Sequence, residues 1–104
     1  MSDFVRVMAL ADLPEGTNRA VDVDGTSILV ARTAMGVFAV ANVCSHAQQA
    51  LEGGKMKAVH LFCPLHGVRF DMRTGCPSGT LTTKAIRTWP THIDDGDIFV
   101  EVCD

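Results

Sequence analysis

Residues 63–67 read CPLHG, and residues 44–46 read CSH. Each stretch carries one thiol and one imidazole a few positions apart. Residues 47–62 separate the two, which is enough for about eight residues out and eight back at ~3.3 Å per residue. The first arm (residues 44–46) and the second arm (residues 63–66) can therefore lie side by side at one end of a β-sheet.

The four side chains concerned are those of Cys44, His46, Cys63 and His66. A cysteine taken alone is usually a small core hydrophobe, but two Cys/His pairs in two compact arms favour a metal centre. A zinc ion would take the four in a tetrahedron, although the single residue inside the first arm is shorter than usual zinc spacing. A [2Fe–2S] cluster of mixed ligation is the alternative, and there the tight spacing helps because each arm must reach both irons.

Composition limits the remaining possibilities. A chain of 104 residues is one domain, residues 1–104, and its formal charge of −3 without a Lys/Arg run argues against nucleic-acid binding. The N-terminus does not resemble a signal peptide, and no window approaches the roughly 18 apolar residues of a membrane span. We therefore expect a cytoplasmic protein, in which the cysteines bind metal or remain reduced rather than form disulfides.

Short apolar runs broken by turn residues indicate antiparallel strands, and no stretch holds a helical period. Asp24-Gly25 and the run from Asp94 to Asp97 predict hairpin turns, while Pro90 indicates a sheet edge or a bulge and Trp89 a core position. Turns at this spacing predict an all-β sandwich or barrel. The predicted strands are Phe4–Leu10, Ala20–Val23, Thr26–Ala31, Val37–Ala41, Lys55–Lys57, Val59–Phe62, Val68–Asp71, Ile86–His92 and Ile98–Val102.

The pattern C-x-H, sixteen residues, C-x-x-H and then glycine resembles the Rieske [2Fe–2S] signature. The resemblance extends over essentially the whole chain, and it is greatest to the stand-alone Rieske ferredoxins of bacterial aromatic-ring-hydroxylating dioxygenase systems. It implies an antiparallel β base with a small cluster-binding subdomain at one tip, about residues 42–80. The flanking positions that agree with the signature are Leu51, Gly54, Gly67, Phe70, Asp71, Thr74 and Gly75.

This resemblance implies that Cys44 and Cys63 hold the inner iron and that His46 and His66 hold the outer iron. It further implies a one-electron carrier between a flavin-containing ferredoxin reductase and a terminal ring-hydroxylating oxygenase. We expect this carrier to be a monomer. The exposed ligands and an apolar collar would meet these partners. The collar candidates are Gln48, Gln49, Leu65 and Val68.

No catalytic role is expected. An oxygenase also needs a mononuclear iron site, commonly two histidines and a carboxylate, but only His60 and His92 lie outside the arms. Two alternatives stay open: the small subunit of a nitrite reductase, which shares the fold and usually lacks the ligands, and a structural zinc module. The loop around Cys76 and Pro77 is also open, because Leu81 stands where relatives commonly carry a proline.

The redox potential should lie near the low end of the Rieske range, about −150 mV. High-potential relatives join the arms by a disulfide and place serine and tyrosine hydroxyls near the cluster. Here Gln48 and Leu65 take the disulfide positions, Gly67 follows the second histidine, and the chain has no tyrosine. A redox titration checks this prediction, and a clearly positive midpoint would contradict it.

Overall fold

Short antiparallel strands and tight turns make up most of the chain. The computed structural model describes residues 3–44, 50–63, 68–78 and 85–102. Within these ranges a 3-10 turn, Leu10–Asp12, follows the first strand. No helix in the same ranges has the length and apolar character that a membrane crossing requires. The strands are β1 (Asp3–Ala9), β2 (Thr17–Val23), β3 (Thr26–Thr33), β4 (Gly36–Ala41), β5 (Met56–Lys57), β6 (His60–Phe62), β7 (Arg69–Asp71), β8 (Pro77–Ser78), β9 (Thr88–Trp89), β10 (Thr91–Asp94) and β11 (Asp97–Val102).

The strands form three sheets, and every described pairing is antiparallel. The terminal sheet has the order β1-β11-β10, the central sheet β2-β3-β4-β9, and the arm sheet β5-β6-β7-β8. One apolar core joins Ile28 and Val30 of the central sheet to Ile98 of the terminal sheet. A second core joins Leu29 of the central sheet to Phe70 of the arm sheet. The prediction of an all-β antiparallel fold is confirmed.

Strand β3 explains why simple alternation is absent from the middle of the sequence. Its residues Ile28, Leu29, Val30 and Ala31 are all at most 1% exposed. Successive strand side chains point to opposite faces, and here both faces are covered by another sheet. A strand buried on both sides becomes a continuous apolar run, and each large side chain contributes about 1.5–3 kcal/mol by leaving water.

Two Asp-Gly turns set the hairpins as predicted. Asp24 and Gly25 have φ of 51° and 84°, and Asp95 and Gly96 have φ of 51° and 77°. Positive φ at both central residues matches the right-handed twist of the flanking strands, and aspartate and glycine tolerate it well. The Asp22 carboxylate also accepts the Gly25 N–H at 2.9 Å. These local contacts fix the register of β2 with β3 and of β10 with β11.

The predicted strand Ile86–His92 is wrong in one respect, because Pro90 divides it. Trp89 pairs with Ala39 in the central sheet, whereas Thr91 pairs with Val100 in the terminal sheet. Proline has no N–H to continue a ladder, and the chain changes sheets there. Trp89 itself is 6% exposed, which confirms the core prediction.

Candidate metal centre

The second arm begins at the end of a hairpin strand. Phe62 on β6 pairs with Arg69 on β7, and the Cys63 N–H donates to the Val68 carbonyl at 2.7 Å. This bond closes the hairpin at the point where residues 64–67 connect its two strands. The backbone position of Cys63 is therefore set by β-sheet pairing, not by the arm alone.

The Asn42 side chain closes the first arm. Its Oδ1 accepts the N–H groups of Leu51 and Glu52, each at 2.9 Å, and its Nδ2 donates to Ser27 Oγ at 3.1 Å. The Asn42 N–H also donates to the Ser27 carbonyl at 3.2 Å. One amide thus ties the end of β4 to the residues where the chain returns from the arm. Sequence reasoning missed Asn42, since a single asparagine after a strand is typical of an ordinary turn.

Residues 51–54 are also fixed to strand β2. Asn18 accepts the Gly53 N–H at 2.7 Å and donates to the Gly54 carbonyl at 3.0 Å, while Glu52 Oε2 accepts the Ala20 N–H at 2.8 Å. A Cβ at Gly54 would collide with the Phe62 carbonyl. Glycine is therefore required where this turn crosses β6, which gives a physical reason for the glycine of the Leu51-x-x-Gly54 pattern.

The two cysteines meet in one apolar core. Cys44 is 0% and Cys63 3% exposed, and both belong to the cluster of buried side chains between the central and arm sheets, with Leu51 and Leu61. Cys76, by contrast, is an exposed thiol outside both arms. One sulfur donor from each arm in the same apolar core fits a cluster whose inner iron takes two thiolates.

The turn after β7 is built around Asp71. Its carboxylate accepts the Arg73 N–H at 2.8 Å and pairs with the Arg73 guanidinium through Nη2 at 2.8 Å and Nε at 3.1 Å. The hydrogen bond from the guanidinium lowers the pKa of Asp71 to about 2. Its backbone carbonyl accepts the Gly75 N–H at 2.6 Å, and the Gly75 carbonyl accepts the Ile86 N–H at 2.9 Å. This turn therefore links the arm sheet to the segment that leads into β9.

Among the predicted site residues, the structure brings Cys44 and Cys63 together. Val68 was expected on the docking collar, but its side chain is 3% exposed and packs in the core with both cysteines. A partner cannot reach it, so Val68 is removed from the docking surface. The remaining predicted positions lie outside the described residues: His46, Gln48, Gln49, Leu65, His66 and Leu81.

The other two histidines have local contacts of their own. His60 on β6 pairs with Asp71 and Lys57 across the arm sheet. The His92 ring lies 5.6 Å from the ring of Phe4 and 6.4 Å from that of Phe99. These contacts place His60 and His92 on different sheets.

A comparison with family models matches residues 3–90 to the Rieske [2Fe–2S] domain. A curated relative from Ralstonia sp, the ferredoxin component of naphthalene 1,2-dioxygenase/salicylate 5-hydroxylase systems, is 30% identical over 100 residues, which cover 96% of either chain. The chain belongs to the Rieske [2Fe–2S] family. Its cofactor is a Rieske-type cluster, and its homologues are electron-transfer subunits, not catalytic enzymes.

Solved structures agree in fold. The ferredoxin of carbazole 1,9a-dioxygenase from Nocardioides aromaticivorans IC177 is 38% identical, covers 93% of this chain and 95% of its own, and superimposes with a TM-score of 0.87. A ferredoxin solved in complex with the oxygenase of a carbazole 1,9a-dioxygenase is 26% identical, with coverages of 93% and 91% and a TM-score of 0.85. A putative nitrite reductase small subunit from Mycobacterium tuberculosis reaches 0.90 at 19% identity, covering 100% of this chain and 98% of its own, which is a likeness of fold alone.

Replacing Asn42 by leucine should speed cluster loss on warming by roughly tenfold, because two backbone N–H groups lose their acceptor at a cost of about 1–2 kcal/mol. Loss of the visible absorption of the cluster measures the rate. Asn42→Asp keeps an acceptor oxygen for both N–H groups, and its rate of cluster loss should stay close to that of wild type. Ser27→Ala removes only the hydrogen bond from Asn42 Nδ2 to Ser27 Oγ. Equal rates for Asn42→Leu and wild type would show that this amide does not hold the arm.

Acid should weaken the turn at Asp71. Its folded pKa of about 2 lies below its ordinary value, so the stabilisation is complete above about pH 4 and is lost as the pH falls from about 4 to about 2. Arg73 is 61% exposed, so solvent screening keeps the effect small. The difference in thermal stability between wild type and Asp71→Asn, followed across this pH window, measures the effect. Acid damage to the cluster is common to both proteins and cancels in the difference. Parallel pH profiles would contradict the assignment.

Proposed function

We propose that this protein carries single electrons from a flavin-containing ferredoxin reductase to the terminal oxygenase of an aromatic-ring-hydroxylating dioxygenase system. The observation that carries the proposal is the burial of one cysteine from each arm in a single core, in a chain whose curated relatives are ferredoxins over nearly their whole length. A relative solved in complex with its oxygenase supports the acceptor. The reductase is inferred from the role of a carrier, which needs a donor.

The proposed ligands are Cys44 and Cys63 on the inner iron and His46 and His66 on the outer iron. Burial of both cysteines supports the inner assignment. When bound, the cluster supplies a reversible one-electron centre, and two neutral imidazoles leave it less negative and easier to reduce than an all-cysteine cluster. The chain contributes the buried positions of Cys44 and Cys63 and an apolar surrounding that keeps water from the sulfur ligands.

We further propose that residues of about 42–80 act as the cluster-binding subdomain. The arm sheet lies within this range, and Asn18 and Asn42 tie the segment to β2 and β3. An exposed reduced thiol at Cys76 fits a cytoplasmic location, which we propose together with a monomeric state.

Metal and sulfide analysis tests this function. Purified protein should contain two irons and two acid-labile sulfides and give an EPR signal only after one-electron reduction. A colourless protein that holds zinc would support the zinc alternative, and a protein without metal would support the nitrite reductase alternative.

Cys63→Ser should lose the cluster and the amide-exchange protection of the arm sheet, because assembly of the cluster and folding of the arms are coupled. Cys76→Ser is the matched control and should keep both, since Cys76 is exposed and lies outside the arms. An intact cluster in Cys63→Ser would overturn the ligand assignment. Native exchange protection in its arm sheet would instead overturn the coupling.

A further inference from the structure

Charge is unevenly divided along the chain. Residues 42–80 contain four Lys/Arg and two Asp/Glu, whereas the rest of the chain contains five Lys/Arg and ten Asp/Glu. The proposed cluster-binding subdomain is therefore net positive, although the protein as a whole carries −3. A partner that docks on this subdomain meets a net positive charge, although the whole chain is net negative.

The cations gather on one face of the arm sheet. Leu61 and Phe70 point inward and are 0% exposed. On the opposite face, Phe62 pairs with Arg69, and the Phe62 N–H donates to the Lys55 carbonyl at 2.8 Å. Lys57 follows on the same edge, where it pairs with His60. We call Lys55, Lys57 and Arg69, with the half-buried Phe62 between them, the cationic face.

Neither carboxylate of the subdomain forms a recorded ion pair with this face. Asp71 is held by Arg73 at 2.8 Å, and Glu52 accepts the Ala20 N–H of strand β2. Within the described ranges, the recorded ion pairs are Asp71 with Arg73 and Asp97 with Arg6. Lys55, Lys57 and Arg69 are exposed and belong to neither pair.

The cationic face adjoins the second arm. Arg69 directly follows Val68, whose carbonyl closes that arm at Cys63. A groove of about 590 Å³ has residues of this sheet edge and Cys63 in its lining. Its described lining residues are Gly53, Gly54, Lys55, Met56, Lys57, Phe62 and Cys63. A protein surface that entered this groove would lie beside a proposed cluster ligand.

We propose that the cationic face is the docking surface for the terminal oxygenase, and that the oxygenase presents a carboxylate-rich patch to it. This inference rests on the proposed function, which supplies the acceptor. Fields from exposed charges extend only about 8 Å at physiological ionic strength. Charges far from the cationic face are therefore screened there, and Lys55, Lys57 and Arg69 contribute a positive local field on the side of the arm sheet next to Cys63. Complementary charge of this kind sets the rate of encounter more than the affinity.

Small redox probes of opposite charge test the local field. The reduced protein is mixed with tris(oxalato)cobaltate(III), an anion, or tris(phenanthroline)cobalt(III), a cation, and oxidation of the cluster is followed by stopped flow. Oxidation by the anion should slow as ionic strength rises, and oxidation by the cation should speed up. The overall charge of −3 alone would give the opposite pair of slopes, and that result would overturn the proposal.

Charge-reversal variants test whether the cationic face is the source of this local electrostatic field. The double variant Lys55→Glu/Lys57→Glu should slow oxidation by the anion about tenfold at low salt and reverse its salt dependence. The control is Arg19→Glu, an exposed position on β2 whose charge change is half that of the double variant, and it should behave as wild type. Lys57→Glu supplies the equal charge change on the cationic face and should be slowed. The visible spectrum and the redox potential of every variant confirm an intact cluster and an equal driving force. A double variant that follows Arg19→Glu would overturn the proposal.

Electron transfer to the terminal oxygenase identifies the occupant. The double variant should reduce the oxygenase about tenfold more slowly than Arg19→Glu, and added salt should remove the difference. If only electron uptake from the reductase is impaired, the reductase occupies this face and the assignment to the oxygenase is wrong. A protein without any one-electron couple would instead refute the proposed function, which separates the two failures.

Discussion

Burial of one thiol from each arm in a common apolar core is the constraint on which the rest of this structure depends. Cys44 follows a strand of the central sheet and Cys63 directly follows β6 of the arm sheet, so two separately built elements must be held at a fixed separation. Packing alone does not set such a separation, because apolar contacts have little directional preference. Directional bonds do so here: Asn42 ties the end of β4 to Leu51 and Glu52, and the backbone bond to Val68 fixes Cys63.

Much of this arrangement could be predicted from local chemistry. The Asp-Gly turns were predictable because few residues tolerate positive φ, and the burial of Cys44 and Cys63 in one core because paired Cys and His at short spacing favour a shared metal centre. The asparagine bonds could not be predicted. Asn18 bonds to Gly53, which is 35 residues away, and Asn42 bonds to Leu51, which is nine residues away. The residues next to each asparagine give no indication of such distant partners. The strand Pro77–Ser78 was also missed, because its two residues are typical of a turn.

Two predictions from the sequence pattern were wrong. Val68 was predicted to belong to the apolar collar around the exposed ligands, yet its carbonyl pairs with Cys63 and its side chain is buried in the core. Ile86–His92 was taken as one strand because proline is tolerated at a sheet edge, but here Pro90 marks a change of sheet. Thr91 Oγ1 still donates to the Val37 carbonyl at 2.8 Å, so the chain stays attached to the central sheet as it leaves it. In both cases hydrogen bonding between strands determined the structure, namely the burial of Val68 and the change of sheet at Pro90, which the local residue types did not determine.

The dry setting of Cys44 and Cys63 also affects the kinetics of a redox reaction. When charge arrives at a metal centre, surrounding dipoles must reorient, and mobile water makes the largest contribution to that barrier. Side chains such as Leu51 and Leu61 have almost no dipole to turn, and close packing limits their movement. On its sulfur side, a centre in this position would exchange electrons with a small reorganisation energy, and rapid transfer would need only a modest driving force.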